Sequence, residues 1–164
     1  MSDAARRPTA WRAGIDEAET VARLLVGFRD ELGQDRPSEN AFLAGVERLI
    51  EGLDADFLLA SPGADSPPAG VAQLRYRFGI WRAAPECWLE DLYVASSARR
   101  RGVGTALVEA ALARAAERGC RRIELDVSEH NAAALALYER YGFSADKHGE
   151  GRHLFLGLAI DQDR

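Results

Sequence analysis

Hydrophobic positions along this chain recur with two periods, and the alternation between them lays out the elements. Thr9 to Ile15 reads as a first strand. Asp16-x-x-Glu19 has the form of a capping box with Asp16 as N-cap. Behind it Val21, Leu24, Leu25, Phe28 and Leu32 form one helical stripe that stops near Gly33. Pro37-Ser38 opens a second helix with Phe42, Val46, Leu49, Ile50 and Leu53 on one face. Asp56 to Ala60 is a short strand, and the Pro/Gly/Ser-rich residues 61–70 form a hairpin loop. Val71 to Phe78 and Cys87 to Val94 are strands joined by a turn around Arg82 to Glu86.

In the second half Val103, Ala106, Leu107, Ala110 and Ala111 face inward from a long helix that ends near Gly119. Ile123, Leu125 and Val127 alternate as a strand. Ala132 to Tyr141 is helical, with Gly142 as its stop. Phe143 to Lys147 and His153 to Ala159 form a closing hairpin around Gly149 to Gly151. The order is β-α-α-β-β-β-α-β-α-β-β. Helical crossovers demand parallel pairing and hairpins antiparallel pairing, so the expected architecture is α/β with a mixed, mostly antiparallel central sheet and flanking helices. Residues 1–8 read as a loose tail and residues 9–164 as one domain.

Composition narrows the function. The 164 residues are 47% hydrophobic, enough for a sizeable core. A formal charge of -5 disfavours a broad nucleic-acid surface. No secretory leader and no apolar stretch of membrane-spanning length is apparent, so a cytoplasmic protein is the expectation. Cys87 and Cys120 share no metal or redox spacing, and His130, His148 and His153 fit no zinc pattern, so no metal is expected.

Against that acidic balance stands Leu92-Tyr93-Val94 followed by Arg99-Arg100-Arg101-Gly102-Val103-Gly104-Thr105. A strand runs into a turn dense in cations and glycines, and a helix follows at once. The first amides of a helix lack partners and sit at the positive end of its dipole, glycines admit a ligand close to the backbone, and guanidinium forks match phosphate oxygens. The segment reads as a diphosphate cradle. Alone, Arg99-x-x-Gly102-x-Gly104 is a weak motif. Further on, Asn131 and Tyr138 lie seven residues apart on one helix face, roughly 10.5 Å along the axis.

With Asn131-x-x-Ala134-x-x-Leu137-Tyr138-x-x-Tyr141-Gly142-Phe143 following it in order, the chain resembles the GNAT superfamily of acetyl-CoA-dependent N-acetyltransferases. The likeness is densest from Trp88 to Phe143. Ser96 or Ser97 stands where many relatives have proline, and Tyr141 replaces a frequent small or polar residue. The resemblance implies that residues 99–105 bind the pyrophosphate of acetyl-CoA. It also implies that the strands ending at Val94 and Val127 splay, so that pantetheine borrows the backbone of Leu92 and Val94, as an added strand would. Asn131 would cap its helix and steady the pantetheine arm.

The resemblance further implies attack by a primary amine, from a small molecule or a peptide, in a ternary complex. An amine near pKa 10.4 must first lose a proton at neutral pH, and Glu90 is the expected base, directly or through water. Strand alternation places Asp91 on the opposite face. The Leu92 amide is the expected oxyanion donor and Tyr138 the proton donor to sulfur. A phenol near 10 protonating a thiolate near 8.5 works uphill by about 1.5 units, roughly 2 kcal/mol, so a hydrogen bond serves as well as transfer. Glu31, Asp35, Glu90 and Asp91 would make the acceptor end acidic, beside the first two helices, the turn at 33–37 and the Trp81–Trp88 hairpin. A homodimer is expected by analogy only. Two rivals remain. A dinucleotide-binding unit is opposed by Leu107 at its third glycine position. A non-catalytic acyl-CoA-binding or partner-binding module on the same fold is opposed by the presence of both Tyr138 and Glu90.

Overall fold

The computed structural model describes residues 7–146, 149, 151–152 and 154–160. The tail expected over residues 1–8 lies outside them except for Arg7 and Pro8. The chain divides into two compact units, Met1–Leu125 and Asp126–Arg164.

The first unit holds a sheet in the order β1-β2-β3-β4-β5. Its strands are β1 (Thr9–Arg12), β2 (Ala55–Ser61), β3 (Gly70–Gly79), β4 (Ala84–Val94) and β5 (Ile123–Glu124). The first four pair antiparallel, and β5 joins β4 in parallel. Helices α1 (Ala18–Glu31) and α2 (Glu39–Glu51) cover one face, where Val21, Leu25 and Val46 pack with Phe57, Leu59 and Val71. Helix α3 (Val103–Glu117) covers the other. On that side Nε of Arg114 donates to Asp56 at 2.7 Å, and the Tyr76 hydroxyl donates to the same carboxylate oxygen at 2.8 Å. Helices on both faces explain why β2 is buried at all seven positions. Each fully buried Leu or Val there contributes about 1.5–3 kcal/mol.

Local chemistry accounts for most boundaries. Ser38 caps α2, its hydroxyl accepting from the Ala41 amide at 3.2 Å. Helix α1 starts differently from expectation. A 3-10 turn spans Ile15–Glu17, and Asp16 caps nothing. Glu17, rather than Glu19, reaches back to the Gly14 amide at 3.3 Å and also accepts from the Trp11 indole at 2.9 Å. Leu53 lies beyond the end of α2 and is 81% exposed, so it is not part of that helix's apolar face. The β3–β4 turn is tighter than expected and passes through Ala83 at φ 49.

The second unit contains α4 (Ala132–Arg140), capped by Asn131 and followed by Gly142 at φ 87. Leu125 and Val127, expected to continue β5, are outside any strand. Of the closing hairpin expected over residues 143–159, Lys147, His148, Glu150 and His153 lie outside the described residues. The remainder forms a single antiparallel bridge between Asp146 and Arg152. Leu154, Phe155, Leu156 and Leu158 are exposed. Three consecutive apolar residues break the alternation a half-buried strand needs, and an isolated two-stranded ribbon is marginal in water.

Two outcomes follow from this packing. A Cβ at Gly70 would sit 2.6 Å from Cγ1 of Val103 and 3.0 Å from Cδ1 of Leu107. Gly70→Ala is therefore expected to destabilise the fold by about 1–3 kcal/mol in urea titration, and an unchanged midpoint would refute this account of the β3–α3 contact. Burial, with Cys120 and Asp56 acting in the same direction, pushes the Cys87 thiol from 9.0 up to about 12. The folded state therefore holds that proton more tightly than the unfolded chain. Its stabilising contribution is complete below pH 9 and is lost between there and about 12. Native Cys87 should resist a thiol reagent at pH 8 and react on unfolding; labelling at the unfolded rate in the native protein would contradict this.

Candidate active site

Strand β4 carries the site because it runs past its parallel partner. Pairing with β5 covers only Cys87 with Ile123 and Trp88 with Glu124. Among the described residues no strand pairs with that side of β4 from Leu89 onward. Backbone amides and carbonyls along such an edge require partners, and a ligand can provide them.

Beyond Val94 the chain makes a 3-10 turn at Ser96–Ala98 and passes through Arg100 at φ 60. It enters α3 at Gly102, whose φ of 80 is left-handed. No side chain caps that helix, so its first turn presents amides at the positive end of the dipole. The residues expected to form a phosphate cradle lie on this turn, and they differ in what they engage. Arg100 and Arg101 are exposed. Arg99 is ion-paired with Glu31 of α1, and its Nε donates to the Val94 carbonyl at 3.1 Å. Arg99 thus ties the turn to β4 and α1. Val103 is 1% exposed, with its side chain packed over Gly70 of β3. Gly104 and Thr105 follow in the first turn. Tyr93 stacks on Phe28 with ring centroids 5.2 Å apart, which commits its ring to α1. Leu92 and Val94 are half-buried.

A break in the β3–β4 register decides the placement of the acids. Gln73 faces Asp91 and Leu74 faces Leu89, so Glu90 is the extra residue of a bulge. Strict alternation, which set Asp91 on the opposite face from Glu90, does not hold. Asp91 lines a cavity of about 310 Å³ between the sheet, α1 and α2, together with Gln73 and Phe57. Glu90 sits beside it, half-exposed and 3.8 Å from Arg75. Arg75 lies two residues from Gln73 in β3 and therefore on the same face. The bulge has turned both acids to one side of the sheet.

The cavity also brings in residues that sequence reasoning missed: Gln73, Arg29 and Arg36. Two adjacent acids between apolar runs in one strand were the available signal of an extra residue. Nothing comparable marked Gln73 or the arginines. The other acids expected here are elsewhere. Glu31 pairs with Arg99, and Asp35 is not part of the lining. Trp81 is 96% exposed on the β3–β4 turn, and Trp88 borders a separate depression with Arg75 and Glu90.

In the second unit Oδ1 of Asn131 accepts from the Ala134 amide at 3.1 Å, which leaves its amide donors for other use. Tyr138, seven residues on, is 8% exposed and meets Phe143 edge-on at 5.7 Å. Burial, reinforced by the Asp126 carboxylate, raises its phenol above the usual value.

Comparison with known proteins identifies the family. The profile of the Acetyltransferase (GNAT) family matches residues 23–143. The thialysine N-epsilon-acetyltransferase of Bos taurus is 30% identical over 60% of this chain and 58% of its own length. The aminoglycoside N(6')-acetyltransferase type 1 of Klebsiella aerogenes is 37% identical over 53% of this chain and 59% of its own. The matched stretches thus span less than two thirds of either enzyme. A crystal structure of a protein from Arthrobacter sp. FB24 assigned as an acetyltransferase superposes with a TM-score of 0.85 at 29% identity, covering 97% of this chain and 100% of that one. No described helix is long and apolar enough to cross a membrane, and no described cluster of His, Cys, Asp and Glu could hold a metal. The chain belongs to the GNAT acetyltransferase family.

Proposed function

We propose that this chain is an N-acetyltransferase that passes the acetyl group of acetyl-CoA to a primary amine held in the cavity beside Asp91. The carrying observation is that one strand, β4, has an edge that no described strand pairs beyond Trp88 and that leads to the uncapped N-terminus of α3, while its bulge sets Asp91 on the cavity wall with Glu90 beside it on the same face of the sheet. Two relatives named for acetylation at a nitrogen support the reaction class.

Acetyl-CoA supplies the activated acetyl group. The amides of Val103, Gly104 and Thr105, with Arg100 and Arg101, hold its diphosphate, and Leu92 and Val94 lend backbone groups to its arm. Asp91, on the cavity wall, holds the incoming ammonium group. Glu90, next to it and open to solvent, takes the proton through water. The freed nitrogen forms its bond to the acetyl carbon as the carbon–sulfur bond breaks. The Leu92 amide faces the charge that develops on oxygen. Asn131 steadies the arm from the cap of α4. Tyr138 donates to the departing sulfur. Since its phenol is held above its ordinary value, hydrogen bonding carries more of that work than complete proton transfer.

Three measurements test this reading. Acetyl-CoA should saturate the protein in calorimetry, and the absence of saturation at millimolar concentration would overturn the assignment. Gly102→Ala places a Cβ 2.9 Å from Cγ of Pro8 at a φ that costs a non-glycine residue about 1–2 kcal/mol. Binding of acetyl-CoA to that variant should fall roughly tenfold. Tyr138→Phe should lower kcat far more than it weakens acetyl-CoA binding, whereas equal losses would assign the tyrosine a purely structural part.

A further inference from the structure

We propose that the acceptor is an apolar α-amino acid: a primary amine with a hydrophobic body and a carboxylate, in which Arg36 reads the carboxylate and Asp91 the amine. The proposal rests on the transferase reading above and adds the substrate class.

The walls of the cavity come from Leu25, Phe28, Phe42, Val46, Leu49 and Phe57, so most of what it encloses is apolar. Its charged lining is one carboxylate and two guanidinium groups, Asp91 against Arg29 and Arg36. Arg29 is already engaged. Its Nε and Nη2 donate to Asp30 at 2.9 and 2.7 Å, and its Nη1 donates to the Pro37 carbonyl at 2.7 Å. That last bond pins the loop carrying Arg36 to the end of α1, making Arg29 a positioning residue. Arg36 is exposed and has no ion pair or hydrogen bond among the described residues. A cation with open donors at the rim of an apolar space, with a carboxylate on the sheet side, complements a zwitterion. A polycationic acceptor would meet one acid and two cations here and lose more hydration than it regains in pairing. The acidic lining that would suit it is dispersed, since Glu31 is bound to Arg99 and Glu90 stands by Arg75.

The test uses the full chain with acetyl-CoA and reads thiol release. L-phenylalanine and L-leucine are compared with phenethylamine and isoamylamine, which lack only the carboxylate, and with kanamycin as a polycation. The expected result is a kcat/KM ratio favouring each amino acid over its decarboxylated analogue by roughly tenfold or more, the worth of one charge-assisted hydrogen bond. In Arg36→Gln that ratio should fall toward one through a rise in KM for the amino acid. Equal or better use of the decarboxylated amines, preference for kanamycin, or a ratio unaffected by Arg36→Gln would each overturn the proposal. Saturation by acetyl-CoA with no turnover of any acceptor overturns it alone. Failure to bind acetyl-CoA overturns the transferase reading beneath it.

Discussion

The structure depends on where β4 loses its parallel partner. Hydrogen bonding between β4 and β5 ends at Trp88 and Glu124, yet β4 continues to Val94. A backbone edge of that length is costly to leave unsatisfied and hazardous to leave open to another chain. Here the edge ends beside a helix N-terminus whose amides are also without caps. Two sets of backbone donors and acceptors converge on one line because the strand, the Ser96–Ala98 turn and α3 are consecutive in the chain.

Such an opening persists only if the rest of the sheet is rigid. On the α3 side Asp56 accepts from Tyr76 and Arg114, and Arg118 lies over the Tyr76 ring at 4.1 Å, so β2, β3 and α3 share one polar knot. No buried side-chain nitrogen or oxygen among the described residues lacks a partner. A buried carboxylate is tolerable only when so fully paired, and removing one member of such a group costs far more than the pair contributes. On the other face Tyr93 stacks on Phe28 and the Arg99–Glu31 pair joins the turn before α3 to the end of α1. The open edge of β4 and the cavity wall at Asp91 therefore belong to one strand.

Much of the fold was legible because helix and strand periods are local. The stripe from Val21 to Leu25, the Ser38 cap and the Asn131 cap appear where pattern and cap chemistry indicate, and on α3 the expected Val103, Leu107 and Ala111 are buried, joined by Val108 and Ala115 in place of the half-buried Ala106 and Ala110. The failures have local causes as well. Glu17 outcompetes Asp16 at the start of α1 because the Trp11 indole and Gly14 amide draw its carboxylate, and that contact crosses from a strand to a turn. The expected continuation of β5 through Leu125 and Val127 fails because alternation marks a potential strand and says nothing about whether a partner is within reach.

The sequence by itself determined the order of elements, the cation-rich turn before α3 and the family likeness, since each is written in contiguous residues. Tertiary structure decided which acid faces the cavity, which arginine stays exposed at its lining and which is consumed as a tie. A bulge changes the facing of every side chain beyond it by inserting one residue, and its presence is measured only against the partner strand. Arg36 and Arg99 are the same residue type in comparable turns. They differ because Glu31 and Val94, distant in sequence from one another, are both brought within reach of Arg99 alone.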